Sequence, residues 1–169
     1  MKKKSKGNNL KGMSLVEILI VISVFAVLGI LTTRAIVTTL KGARKSESQI
    51  QVKENINYAF SVMERNLRSS ESILPCPNPD TTTISYTSLE GEISTFSCIL
   101  TSDTGYIASG SARLTSTDIV VTSCSISCVQ EESNYPPIIS ISVTATDMNS
   151  TGSEAGAVTI ETEIVGRNY

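Results

Sequence analysis

The stretch Lys11-Gly12-Met13-Ser14-Leu15-Val16-Glu17 places a carboxylate inside an apolar run, just after a glycine that ends a basic head. A carboxylate in such a run costs about 2.5–3.5 kcal/mol on insertion scales. Near the end of the run it can snorkel or protonate, or it can meet a positive charge from another molecule. Gly12 has no Cβ and leaves the adjoining backbone sterically open to a protease. A cut on that side of Glu17 would create a new cationic amine at the edge of the apolar helix. When chains stack with an axial offset, that amine can approach Glu17 of a neighbour. In a low-dielectric setting the two charges attract strongly, and removing one strands the other. Glu17 is thus expected to set the register of an assembly.

The second set with chemistry is Cys76, Cys98, Cys124 and Cys128, an even number in the acidic body of the chain. Two disulfides fit an exported domain, with three connectivities. The favoured pairing joins Cys76 with Cys98, tying a helix exit to a sheet, and Cys124 with Cys128. On a straight strand the latter two would lie about 13 Å apart, too far to bridge, so this pairing requires residues 125–127 to bend as a loop. A zinc site is disfavoured because the paired C-x-x-C spacing is missing.

Other chemistry is sparse. The 169 residues include no histidine, which removes His-dependent triads, zinc proteases and facial-triad iron sites. There is no G-x-S-x-G, Gly-rich phosphate loop or H-x-E motif. Glu131 and Glu132 read as a solvated loop rather than an acid and base with split pKa values. Asp103, Asp118 and Asp147 lack the spacing of a calcium loop. No enzymatic activity, cofactor or resident metal is expected. Residues 1–12 carry five lysines and no acid, whereas the other 157 hold 9 basic and 16 acidic residues. Nucleic acid is therefore not an expected partner of the body.

These residues require particular elements to position them. Residues 13–31 are apolar except for Ser14, Glu17 and Ser23, and Arg34 is the first basic residue after them. About 20 such residues match a hydrocarbon core of about 30 Å. The run is longer than the core of a secretory signal and lacks its small-residue cleavage pattern. Orientation by basic flanks is nearly balanced, since Arg34, Lys41, Arg44 and Lys45 follow the span.

From Thr32 the helical pattern continues without proline. Ile36, Leu40, Ile50, Ile56, Phe60, Met63 and Leu67 suggest one apolar face, and Pro75 and Pro77 stop the helix. Residues 13–74 are therefore expected to form one helix, in which Gly42 could permit a bend. Past Pro79, β-branched segments read as strands over 82–88, 93–100, 106–114, 118–125, 138–146 and 157–165. Their alternation predicts an antiparallel sheet covered on one side, with the amphipathic part of the helix as cover. The expected fold class is α+β.

The run Lys11-Gly12-Met13-Ser14-Leu15-Val16-Glu17, with the apolar segment after it, resembles the processing motif of type IV prepilins and type II secretion pseudopilins. The resemblance implies a pilin-like fold, with a long N-terminal helix, membrane-spanning in its first half, packed on an antiparallel β-sheet. It implies the segments 1–12 (cleaved basic leader), 13–33 (transmembrane and assembly helix), 34–74 (amphipathic continuation) and 75–169 (extracytoplasmic β domain). It also implies cleavage between Gly12 and Met13, N-methylation of Met13, and an assembly role for Glu17 at the fifth mature position. The implied partners are a prepilin peptidase/methyltransferase, other pilin or pseudopilin subunits, an inner-membrane assembly platform and membrane lipid. The implied location is a single pass through the inner membrane with the N-terminus cytoplasmic, followed by incorporation into a pilus or pseudopilus.

Major pilins often carry proline at the twenty-second mature position, where this chain has Arg34, which disfavours a major fibre subunit. Two weaker runs, Met63-Glu64-Arg65-Asn66-Leu67-Arg68-Ser69-Ser70-Glu71-Ser72-Ile73 and Val165-Gly166-Arg167-Asn168-Tyr169, resemble J-type minor pseudopilins and W-type minor pilins. The implied role is a minor structural subunit that helps initiate assembly near the tip. The alternative is a membrane-anchored extracytoplasmic binding module, an adhesin or a DNA-uptake minor pilin.

Overall fold

The computed structural model describes residues 14–74, 76–101, 104–130, 135–150 and 156–167. Gly12, Met13, Pro75, Asp103, Glu131 and Glu132 lie outside them. The chain divides into two compact units, Met1–Lys41 and Gly42–Tyr169. It is α+β: one long N-terminal helix, apolar in its first part, is followed by antiparallel sheets.

In the first unit the described residues form the start of helix α1 (Leu15–Arg68), and every one of them is exposed. The segment is long and apolar enough to cross a membrane. Its hydroxyls are compatible with that medium because they bond to the helix's own carbonyls. Ser23 Oγ donates to the Ile20 carbonyl at 2.8 Å, and Thr33 Oγ1 to the Gly29 carbonyl at 2.8 Å. In hydrocarbon, polar groups have to be satisfied in this internal way.

In the second unit α1 buries Val52, Ile56, Ala59, Phe60, Met63 and Leu67. These positions follow the 3.6-residue period. Ile36, Leu40 and Ile50, expected on the same face, are exposed instead. Ile50 precedes Val52 by two residues, about half a turn around the helix.

The helix ends at Arg68, six residues before the expected stop. Ser70 Oγ donates to the Leu67 carbonyl at 2.7 Å and Ser69 Oγ to the Arg65 carbonyl at 2.9 Å. Side-chain hydroxyls thereby take over the last helix acceptors. The chain then turns into β1 (Ser72–Leu74).

The remaining strands are β2 (Asn78–Thr81), β3 (Thr83–Thr87), β4 (Ile93–Ile99), β5 (Tyr106–Ser109), β6 (Ala112–Arg113), β7 (Ile119–Val129), β8 (Ile138–Asp147) and β9 (Val158–Val165). The single sheet expected from the sequence is in fact two. One has the order β1-β3-β4-β5-β6 and the other β2-β7-β8-β9. All pairs are antiparallel. Pro79 sits in β2, an edge strand, where its missing N–H costs no central ladder bond.

The expected strand over 106–114 is a hairpin, β5 and β6, turning at Gly110 with φ 57°. That left-handed backbone is cheap only for glycine. The strand expected over 118–125 runs on to Val129, with a register shift between Val121 and Ser123.

Both sheets and α1 contribute to one apolar core. Phe96 and Ile107 come from the first sheet, Ile126, Ile139, Val143 and Ile164 from the second, and Ile56 and Met63 from the helix. Tyr86 stacks on Phe96 with ring centroids 5.3 Å apart. Gly105 joins the sheets at close range. Its carbonyl accepts the Val121 N–H at 2.8 Å, and a Cβ at this position would overlap the Val121 carbonyl oxygen.

Candidate functional site

Of the sequence-derived processing and assembly residues, Glu17 alone falls in the described region. Ser14 stands just before the helix and its carbonyl accepts the N–H groups of Glu17 at 3.0 Å and Ile18 at 3.3 Å. Glu17 thus occupies the first helical turn, where the exposed N–H groups carry partial positive charge and favour a carboxylate. Among the described residues no cation pairs with it. The Ser-x-x-Glu spacing of Ser14 and Glu17 is a helix-start signal that the sequence reading did not use. The helix start therefore stabilises Glu17 only in part, and its side chain remains available outward. Around it Leu15, Leu19 and Ile22 are at least 60% exposed. A helix so apolar on its open faces needs lipid or other protein around it.

The cysteines form two bridges, but not the pairs expected. Cys76 joins Cys128 with Cα atoms 5.3 Å apart, and Cys98 joins Cys124 at 6.2 Å. The expected pairing of Cys124 with Cys128 fails because residues 125–127 do not form a loop. Both cysteines lie on β7, four residues apart and both buried. That separation along a strand is about 13 Å, beyond the reach of a disulfide. Cys128 is instead in register with Asn78 of β2, which brings Cys76 alongside. Cys98 on β4 meets Cys124 on β7, so this bridge links the two sheets covalently.

The two described aspartates of the calcium reading are engaged with hydroxyls. Ser116 Oγ lies 3.4 Å from Asp118 Oδ2. Asp147 accepts the Asn149 N–H at 2.9 Å, and Ser150 Oγ lies 2.9 Å from both its carboxylate and Ser48 Oγ of α1. Burial by itself would raise the Asp147 pKa, but the hydrogen bonds from Asn149, Ser150 and Ser48 outweigh it and hold the carboxyl below its ordinary value. This network is a second feature the sequence reading missed, since Ser48 lies about a hundred residues from the Asp147–Ser150 turn it joins.

The outer face of the second sheet forms an open depression with a serine floor, Ser125, Ser127, Ser140 and Ser142, rimmed by Asp80 and Glu161. The register sets Ser125, Ser142 and Glu161 in one cross-strand row. Its charge has the wrong sign for a phosphate backbone. No protein-family model, curated protein or solved structure matches this chain.

Proposed function

We propose that this chain is a minor pilin or pseudopilin, a structural subunit of a type IV pilus or type II secretion pseudopilus that helps initiate the filament near its tip. In this reading prepilin peptidase cuts after Gly12, and Met13 becomes the N-methylated first residue. Residues 13–33 first anchor the chain in the inner membrane with the N-terminus cytoplasmic. They later pack among the helices of sibling subunits. The Met13 amine of one subunit meets Glu17 of its neighbour, exchanging a stranded carboxylate for an ion pair in a low-dielectric core.

The observation that carries the proposal is the set Gly12, Met13 and Glu17, in that sequence order, before and within an apolar segment whose residues 14–41 are all exposed. Two disulfides in the second unit favour an oxidising compartment for it, hence an extracytoplasmic C-terminal side. Mass spectrometry of the native protein tests the reading. The expected chain begins at N-methyl-Met13, and an intact Met1 in cells that possess the peptidase would overturn it.

A second reading, an anchored binding module, draws on the serine-floored depression. It expects a saturable ligand for the β domain with no need for cleavage at Gly12. The acidic rim makes DNA a poor choice of ligand.

A further inference from the structure

The four charges that follow the apolar segment are all positive: Arg34, Lys41, Arg44 and Lys45. No acid occurs between Glu17 and Glu47. Each of the four is exposed, and among the described residues none has a carboxylate partner. Arg34 stands twenty positions after Ser14, which in a helix is about 30 Å, the thickness of a hydrocarbon core. It therefore falls where the headgroups begin. Lys41 follows two helical turns later, on the same side to within about 20° and about 10 Å further out. Arg44 and Lys45 come three and four residues after Lys41, so even a fully extended chain keeps them within about 14 Å of it. Attraction to a charged surface acts over roughly 8 Å at physiological salt and asks for no fixed geometry among these groups.

We propose that this basic segment binds the phosphates of anionic lipid headgroups and holds the anchored chain to the leaflet on the β-domain side. Balanced basic flanks are a poor topology signal, so the second cluster needs a separate reason to be there, and an anionic leaflet supplies it. Long Lys and Arg side chains reach back to the phosphates while their stems lie along apolar surface. Each one held within about a Debye length of the surface contributes on the order of a fivefold preference for an anionic surface. The inference rests on residues 13–33 lying in a bilayer and not on cleavage after Gly12, so a failure of processing leaves it standing.

The full chain, reconstituted in phosphatidylcholine vesicles with phosphatidylglycerol, tests it through spin-labelled lipids of each headgroup. Because the leader lysines are also basic, the measurement uses a background with Lys2, Lys3, Lys4, Lys6 and Lys11 changed to Gln. There, the motionally restricted lipid should favour phosphatidylglycerol several-fold. Arg34→Gln, Lys41→Gln, Arg44→Gln and Lys45→Gln together should remove the preference while an intact pair of disulfides reports an undisturbed β domain. Equal restriction of the two lipids in the parent chain, or a preference that survives the fourfold change, overturns the proposal. So does restriction of neither lipid. Competition by inorganic phosphate at constant ionic strength would also overturn it, by assigning the residues to a free anion.

Discussion

From Leu15 to Lys41, α1 presents leucine, isoleucine, valine and phenylalanine to the outside on every side. From Val52 to Leu67 the same helix hides its apolar residues under two sheets and shows Lys53, Glu54 and Arg65 outward. One backbone geometry therefore serves two solvents. In the second stretch the apolar positions keep a helical period because only one face finds protein. In the first, apolar residues are exposed on every side, and the segment is long and apolar enough to cross a membrane. The contrast teaches that the first stretch is completed by something outside the chain, whereas the second is completed within it.

The sharpest way to break this comparison is Glu17→Lys. Under the filament reading it sets like charges together and should lower co-assembly by about two orders of magnitude. Disulfide content and protease resistance of the second unit should be unchanged. Normal incorporation, measured by crosslinking to sibling subunits, would reject the register role.

Truncation in each half comes next. Met63→Ala removes a side chain that is 1% exposed and should cost about 2–5 kcal/mol in chemical denaturation of the second unit. Ile22→Ala, at 60% exposure, should leave that transition in place. Equal effects from the two would erase the distinction between the halves.

The bridges test the second unit's own framework. Replacing either cysteine pair by serine should lower stability by about 3–4 kcal/mol in the chain-entropy account, for loops of 52 and 26 residues. Non-reducing peptide mapping should recover Cys76 linked to Cys128 and Cys98 linked to Cys124. A peptide with Cys124 bonded to Cys128 would contradict a continuous β7.

Asp147 gives a smaller, pH-dependent effect. Its folded pKa is lowered, so its ionised form stabilises the fold above the ordinary carboxylate range. That stability disappears as the pH falls through the lowered folded value. Asp147→Asn should therefore cost about 1 kcal/mol near neutral pH, and parent and variant should converge in acid. Divergence on acidification would reverse the sign and refute the network. The smallest change belongs to Glu64→Gln, which breaks a surface pair with Arg68 at 2.8 Å and should stay within about 0.5 kcal/mol.

Alternation made much of the second unit legible. Residues 138–146 alternate so regularly that β8 was readable to within one residue at its end. In β7 the alternation resumes after the shift between Val121 and Ser123 and places Cys124, Ile126 and Cys128 on one face. Followed to Val129, it would have excluded a bridge between those two cysteines. The overrun of the helix has a local cause: the stop was set by Pro75 and Pro77, whereas the hydroxyls of Ser69 and Ser70 already compete for helix carbonyls. Division into two sheets was not readable, because it depends on which strands pair across long separations. β2 lies beside β7, while β3 and β4 pair locally. At the candidate site, Glu17 was visible because a carboxylate in an apolar run is an anomaly. Ser48, Asp147 and Ser150 are ordinary in type, and the folded chain alone brings Ser48 to the other two.

The bridge between Cys98 and Cys124 lies, in sequence, wholly inside the loop closed by Cys76 and Cys128. Tension applied between the helix and the C-terminal strand would therefore bypass everything enclosed by the outer bond. With 52 residues shunted in this way, roughly 170–190 Å of chain could not be paid out under load. Under such load the chain would yield at the helix, at β1 or at β8 and β9, and would remain short when it did.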